Sequence, residues 1–138
     1  MKYDLIFYIS KKTSYCEKAL RKALGRIGGE PYRIVGATSP TELGAQVSRS
    51  LSVCPMAVII GGLGSDEDDN LATVLSRVFS NSSLSLDNMR RLSSESGTAG
   101  YIVRYKSQIL LALPDSPEGI AEMLTDDLLS YIDDKLSA

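Results

Sequence analysis

The chain has 138 residues, 43% apolar and 23% charged, the length and composition of one soluble domain with a closed core. Fifteen basic residues against 17 acidic leave a net charge of −2, which argues against a nucleic-acid partner recruited by excess Lys and Arg. Histidine is absent, so Ser-His-Asp and Cys-His nucleophile systems and His zinc sites are excluded, and the two cysteines, Cys16 and Cys54, match neither a metal spacing nor a disulfide framework.

Tyr3 to Ile9 is a β-branched and aromatic run that reads as a buried strand, interrupted early by Asp4. The run is too short for a signal-peptide core, and no stretch approaches the roughly 20 apolar residues of a bilayer span. No membrane is therefore expected, and the cytoplasm is the expected compartment. Ser14 with Glu17 forms a capping box ahead of a helix carrying Cys16, Leu20, Leu24 and Ile27 at helical spacing. Cys16 reads there as a small core residue, and Gly28-Gly29 ends the helix. Tyr32 to Val35 reads as a second strand. Ser39-Pro40 followed by Glu42 starts a second helix with the stripe Leu43, Val47, Leu51.

Met56 to Ile60 is apolar throughout, the pattern of a strand covered on both faces of a parallel sheet. A glycine-rich acidic loop follows, and then a third helix through Leu71, Val74, Leu75 and Val78, with Asp69 as its N-cap. Ser80 to Ser96 is Ser-rich with a weak helical spacing of Leu86, Met89 and Leu92. Asn81-Ser82-Ser83 fits a glycosylation sequon, which in a cytoplasmic chain is a polar loop. Tyr101 to Tyr105 and Gln108 to Leu113 form a hairpin about Lys106-Ser107. Ser116-Pro117 starts one last helix with the stripe Ile120, Leu124, Leu128 and Tyr131. The alternation predicts one domain over 1–138, a three-layer α/β/α fold with a mostly parallel sheet, right-handed crossovers and a late antiparallel hairpin.

Two loops fall where such sheets place ligands, after the carboxyl ends of strands. One is Gly61-Gly62-Leu63-Gly64-Ser65-Asp66-Glu67-Asp68-Asp69-Asn70. Its glycines let a backbone approach a ligand and offer N–H donors, and the helix behind favours an anion such as phosphate. A tight turn with acids favouring the helix dipole is the other reading. The Lys-Ser/Thr pair of a P-loop and the third Gly of a dinucleotide fingerprint are both missing. The acids at 66–69 could hold Mg²⁺ through water and ligand phosphates; a solvated acidic face is the favoured reading. The second loop is Leu113-Pro114-Asp115-Ser116-Pro117, whose prolines fix a corner that a ligand site and a stiff strand-to-helix turn would both use.

The order of Gly-Gly-Leu-Gly at 61–64, Asp69, Gly97-Thr98-Ala99-Gly100, the hairpin and Leu-Pro-x-Ser-Pro at 113–117 resembles the molybdopterin-binding domain family. That family includes MoaB/Mog-type molybdenum-cofactor proteins and the N-terminal domain of CinA-type proteins; Gly97 to Gly100 tilts the likeness toward CinA. The resemblance covers roughly residues 14 to 130. It implies a pocket for a pterin or nucleotide phosphate lined by Gly61, Gly62, Gly64, Asp69, Pro114 and Ser116, and Ser65, Gly97, Thr98 and Asp115 are expected to touch the ligand beside them. It further implies Asp69 as the catalytic carboxylate, Asp66 with Asp69 as Mg²⁺ ligands, and a homo-oligomer.

Four departures accompany the resemblance. Leu71 stands where the family has Thr, and Asp115 replaces the corner Gly, placing a negative charge where an anion would pass. Val35-Gly36-Ala37-Thr38 lacks the family's second carboxylate. Ser10-Lys11-Lys12 stands in place of a Gly-Asp-Glu-like segment. The expectation is a diverged domain that binds a small phosphate-bearing ligand with catalysis weakened or lost. The alternatives are an Mg-dependent nucleotide pyrophosphatase, a molybdopterin nucleotidyltransferase, and a non-catalytic protein-interaction module that keeps the fold for shape.

Overall fold

The computed structural model describes residues 1–11, 13–61, 89–93, 99–105 and 107–137. Six strands form one sheet: β1 (Lys2–Tyr8), β2 (Glu30–Ala37), β3 (Met56–Ile60), β4 (Met89–Ser93), β5 (Ala99–Tyr105) and β6 (Gln108–Leu113). Their order is β2-β1-β3-β6-β5-β4. β2, β1, β3 and β6 run parallel, while β5 is antiparallel to both β6 and β4. The described helices are α1 (Thr13–Gly25), α2 (Pro40–Val53), α3 (Pro117–Met123) and α4 (Asp126–Ser137).

All five residues of β3 are buried, as the unbroken apolar run requires of a central strand. The strands alternate their side chains between two cores. Tyr3, Leu5, Met56, Val58, Ile60, Ile109 and Leu111 pack with Leu20 and Leu24 of α1 and with Ile120, Leu128 and Ile132 of α3 and α4. Ile6, Tyr8, Ala57, Ile59, Leu110 and Ala112 pack with Leu43 and Val47 of α2 on the opposite face. Each fully buried large aliphatic side chain contributes about 1.5–3 kcal/mol relative to exposure. The three-layer arrangement and the late hairpin are as the sequence predicts.

Several local signals are realised in detail. Gly28 sits at φ +76° and Gly29 N–H donates to Leu24 O at 2.8 Å, closing the end of α1. Ser39 Oγ accepts from Glu42 N–H at 3.2 Å, and Pro40 opens α2. Glu42 reaches back one residue further than a capping box requires: its Oε2 accepts from Thr38 N–H at 2.6 Å and Thr38 Oγ1 at 2.9 Å. The Thr38 backbone bond, first among its causes, holds the Glu42 carboxyl below its ordinary value. This contribution to stability is present at neutral pH and is lost as the pH falls through the folded-state value. Ser39→Ala is expected to cost about 1 kcal/mol, seen as a drop of about 4 °C in the thermal midpoint.

Other expectations are corrected. Ser14 lies inside the first turn of α1, and Glu17 pairs with Arg21 at 3.1 Å one turn on. β2 runs from Glu30 to Ala37, beyond the predicted Tyr32 to Val35. Met89 and Leu92, whose spacing hints at a helix, lie in β4; Leu86 lies outside the described residues. The single predicted last helix is two. Thr125 interrupts it, its Oγ1 accepting from Leu128 N–H at 3.2 Å, so α4 starts with its own cap and with Asp126 and Asp127 in its first turn. The expected third helix through Leu71 to Val78 and the Asn81-Ser82-Ser83 loop lie outside the described residues. No helix among the described residues is long and apolar enough to cross a membrane.

Candidate functional site at the carboxyl edge

Successive connections leave β1 toward β2 and leave β3 toward β6, so the strand order reverses at β1 and β3. Such a switch point opens a crevice at the carboxyl ends of the strands. Tyr8, Ile60 and Leu113 end three parallel neighbours there. Gly61 N–H donates to Leu113 O at 3.0 Å, tying the exit of β3 to the exit of β6. Gly61 is buried and adopts φ +108°, and a Cβ on it would lie 2.1 Å from Tyr8 O. Only a residue without a side chain fits this left-handed position between the ends of β1 and β6.

The exit of β6 is the corner Pro114-Asp115-Ser116. Pro114 is buried, and Ser116 Oγ accepts from Gly119 N–H at 3.0 Å, capping α3. Asp115 reaches the exit of β1. Its Oδ1 accepts from Ser10 Oγ at 2.8 Å, and its Oδ2 from Lys11 N–H at 2.8 Å. Cys16 Sγ donates to Oδ1 at 3.5 Å from the first turns of α1. Just before these donors, Ile9 takes φ +50°, an uncommon value for a β-branched residue, with its N–H on Ala37 O at 3.2 Å.

Of the residues predicted for the site, the structure brings together Gly61, Pro114, Asp115 and Ser116. Gly62, Gly64, Ser65, Asp66, Asp69, Gly97 and Thr98 lie outside the described residues. Among the described residues, no group of three or more His, Cys, Asp or Glu side chains gathers to hold a metal. Glu42, the acid that follows the 35–38 segment in sequence, is turned onto Thr38 at the start of α2. Sequence reasoning did not connect Ser10, Lys11 and Cys16 to the corner. The available signal was an acid on a strand-end corner, which needs donors, beside a neighbouring strand exit able to supply them.

Two grooves flank this edge. One, of about 480 Å³, lies beside the first turns of α1 and is lined by Phe7, Thr13, Ser14, Glu17, Ile34, Val35 and Gly36. The other, of about 500 Å³, runs between α1 and α3, with Ala19, Ala23, Pro117 and Ala121 and a rim of Tyr15, Lys18, Lys22 and Arg26. Neither contains Gly61 or the 114–116 corner.

No family model matches the sequence, and no curated protein sequence matches it. Solved structures do match the fold over nearly the whole chain. The protein CinA from Thermoplasma acidophilum aligns with a TM-score of 0.68 and 16% identity, over 98% of this chain and 97% of that one. A molybdopterin biosynthesis protein from Mycobacterium abscessus aligns at 0.72 and 12%, over 99% and 94%. The molybdopterin biosynthesis Mog protein from Mycobacterium ulcerans aligns at 0.70 and 14%, over 98% of both. The chain therefore has the fold of the MoaB/Mog and CinA proteins, as the resemblance in its loops implies.

Proposed function

We propose that this MoaB/Mog- and CinA-like domain binds a small phosphate-bearing ligand, a pterin or a nucleotide, at the carboxyl edge of β1, β3 and β6, with turnover weak or lost. The observation that supports this reading is the Gly61 N–H bond to Leu113 O, which sets the first residue of the glycine-rich segment beside the residue that leads into the 114–116 corner at the switch point. On this reading Gly62, Gly64 and Ser65 supply backbone and hydroxyl donors to phosphate, Gly61 sets the turn with its own N–H on Leu113 O, and Gly97 and Thr98 contribute from the segment before β5. Asp66 and Asp69 would hold Mg²⁺, whose charge would offset the repulsion between those acids and an anion. When bound, Mg²⁺ would polarise the phosphoryl oxygens.

Weak turnover follows from the missing second carboxylate. Ala37 is buried, and both Thr38 donors serve Glu42. The same reading takes the domain to be a cytoplasmic homo-oligomer. A thermal-shift series with nucleotides and pterin phosphates, with and without Mg²⁺, tests the binding. Phosphate-bearing compounds should raise the midpoint and their dephosphorylated counterparts should not, since ligands that bind only the native state stabilise it. Hydrolysis of a nucleotide pyrophosphate with Mg²⁺ should be slow or undetectable. Fast hydrolysis abolished by Asp69→Asn would make this chain an enzyme. If Asp69→Asn alters neither binding nor turnover, Asp69 is only a helix cap, and the exchange then costs about 1 kcal/mol or less.

A further inference from the structure

Asp115 does more at the corner than add a charge. Its two carboxylate oxygens are met by donors from two consecutive residues, Ser10 Oγ on Oδ1 and Lys11 N–H on Oδ2, each at 2.8 Å. A side-chain hydroxyl and a backbone N–H converging on adjacent oxygens of one anion is the arrangement that proteins use for carboxylates and phosphates alike. The donors lie just ahead of α1, where the helix dipole also favours negative charge. They are more than 100 residues from Asp115 along the chain, so this is a tertiary fit rather than a local turn.

We propose that Ser10 and Lys11 form an oxyanion seat at the exit of β1, and that Asp115 occupies it as a built-in substitute for a phosphate, lowering the affinity of this edge for phosphate groups. The corner that carries Asp115 is held by the buried Pro114 on one side and the Ser116 cap on the other. The carboxylate is therefore presented at high effective concentration, and an external anion must displace it. The displaced carboxylate would also remain beside the incoming phosphate and repel it. Asp115 is thus a specificity-determining residue: it biases the edge toward ligands whose phosphate is held elsewhere, by the loop that begins at Gly61.

This inference deepens the proposed phosphate site and rests on that reading for its biological meaning, but the seat can be tested by itself. Inorganic phosphate is titrated into wild type, Asp115→Gly, Asp115→Asn and the double variant Ser10→Ala/Asp115→Gly by calorimetry, with the Lys11 amide followed by NMR. Asp115→Gly should bind phosphate about tenfold or more tightly than wild type, the scale of one charge-assisted hydrogen bond. The Lys11 resonance should move in that variant alone. Asp115→Asn keeps the seat filled and should show little gain, and the double variant should lose the gain.

A gain that persists without Ser10, or an Asp115→Gly protein that folds yet binds no better than wild type, would overturn the proposal. Should Asp115→Gly not fold, Asp115→Ser vacates the same donors and is judged by the same criteria. Nucleotides and pterin phosphates separate the two ideas. Phosphate gain in Asp115→Gly with no organic phosphate bound by any variant leaves the seat standing and refutes the ligand reading. Organic phosphates bound by wild type, with no gain for inorganic phosphate in Asp115→Gly, do the reverse.

Discussion

Gly61→Ala is expected to destabilise the domain by about 3 kcal/mol or more, lowering the thermal midpoint by about 10 °C. Two causes act together. The added carbon would sit 2.1 Å from Tyr8 O, a backbone atom of β1 that cannot move without disturbing its pairing with β2 and β3. The residue also sits at φ +108°, which an L side chain rarely adopts. Gly25→Ala is the matched control. Nothing lies within 4 Å of its added carbon, and it ends a helix, so that exchange should be neutral or slightly stabilising. Equal losses at both positions would show that the close fit at Gly61 does not shape the edge.

Arg33→Ala is expected to cost about 3 kcal/mol, because it strips the main partner from a buried carboxylate. Asp4 is fully buried, and its Oδ2 accepts from Arg33 Nη2 at 3.2 Å. A shift in register between Tyr3 and Asp4 sets Arg33 directly across from Asp4 on β2. Arg33 Nη2 also donates to Gln46 Oε1 at 3.2 Å, joining α2 to the pair. On the other oxygen, Cys54 Sγ donates at 3.5 Å. Burial, with Asp4 next, pushes that thiol up to about 11, so it stays a protonated donor at neutral pH. A thiol alone is a weak partner for a buried charge. The double variant Asp4→Leu/Arg33→Leu removes both charges together and should recover most of the loss, as apolar replacements of buried ion pairs commonly do. Additive losses in denaturant unfolding would contradict this picture.

The elements legible in the sequence are those whose signals are local. The five apolar residues of β3, the serine caps before Pro40 and Pro117, the glycines after α1 and the hairpin of β5 and β6 each depend on neighbours within a few positions. β4 was not legible, because Arg90 and Arg91 break the apolar alternation and Met89 and Leu92 mimic a helical spacing. What makes it a strand is its register with β5, Leu92 opposite Gly100 and Arg91 opposite Tyr101. The break between α3 and α4 was hidden because the apolar stripe runs on through Leu124 and Leu128 on both sides of the Thr125 cap.

At the site, the edge was legible and its wiring was not. Strand-end loops at a switch point follow from topology, and topology follows from the alternation of strands and helices. That Ser10, Lys11 and Cys16 meet Asp115 depends on contacts spanning 99 to 105 residues. Asp4 shows the same limit. In sequence it reads as a polar interruption of an apolar strand, and only the pairing of β1 with β2 supplies the Arg33 that makes its burial tolerable.

On this account the carboxyl edge of β1, β3 and β6 holds a phosphate-bearing ligand. Amide NMR of the wild-type protein, titrated with nucleotides and pterin phosphates in the presence of Mg²⁺, tests it most directly. Saturable shifts at Gly61, Asp115, Ser116 and Gly119 are the predicted result. Shifts confined to the groove of Tyr15, Lys18 and Lys22 between α1 and α3, or no saturable shifts with any of these compounds, would contradict it.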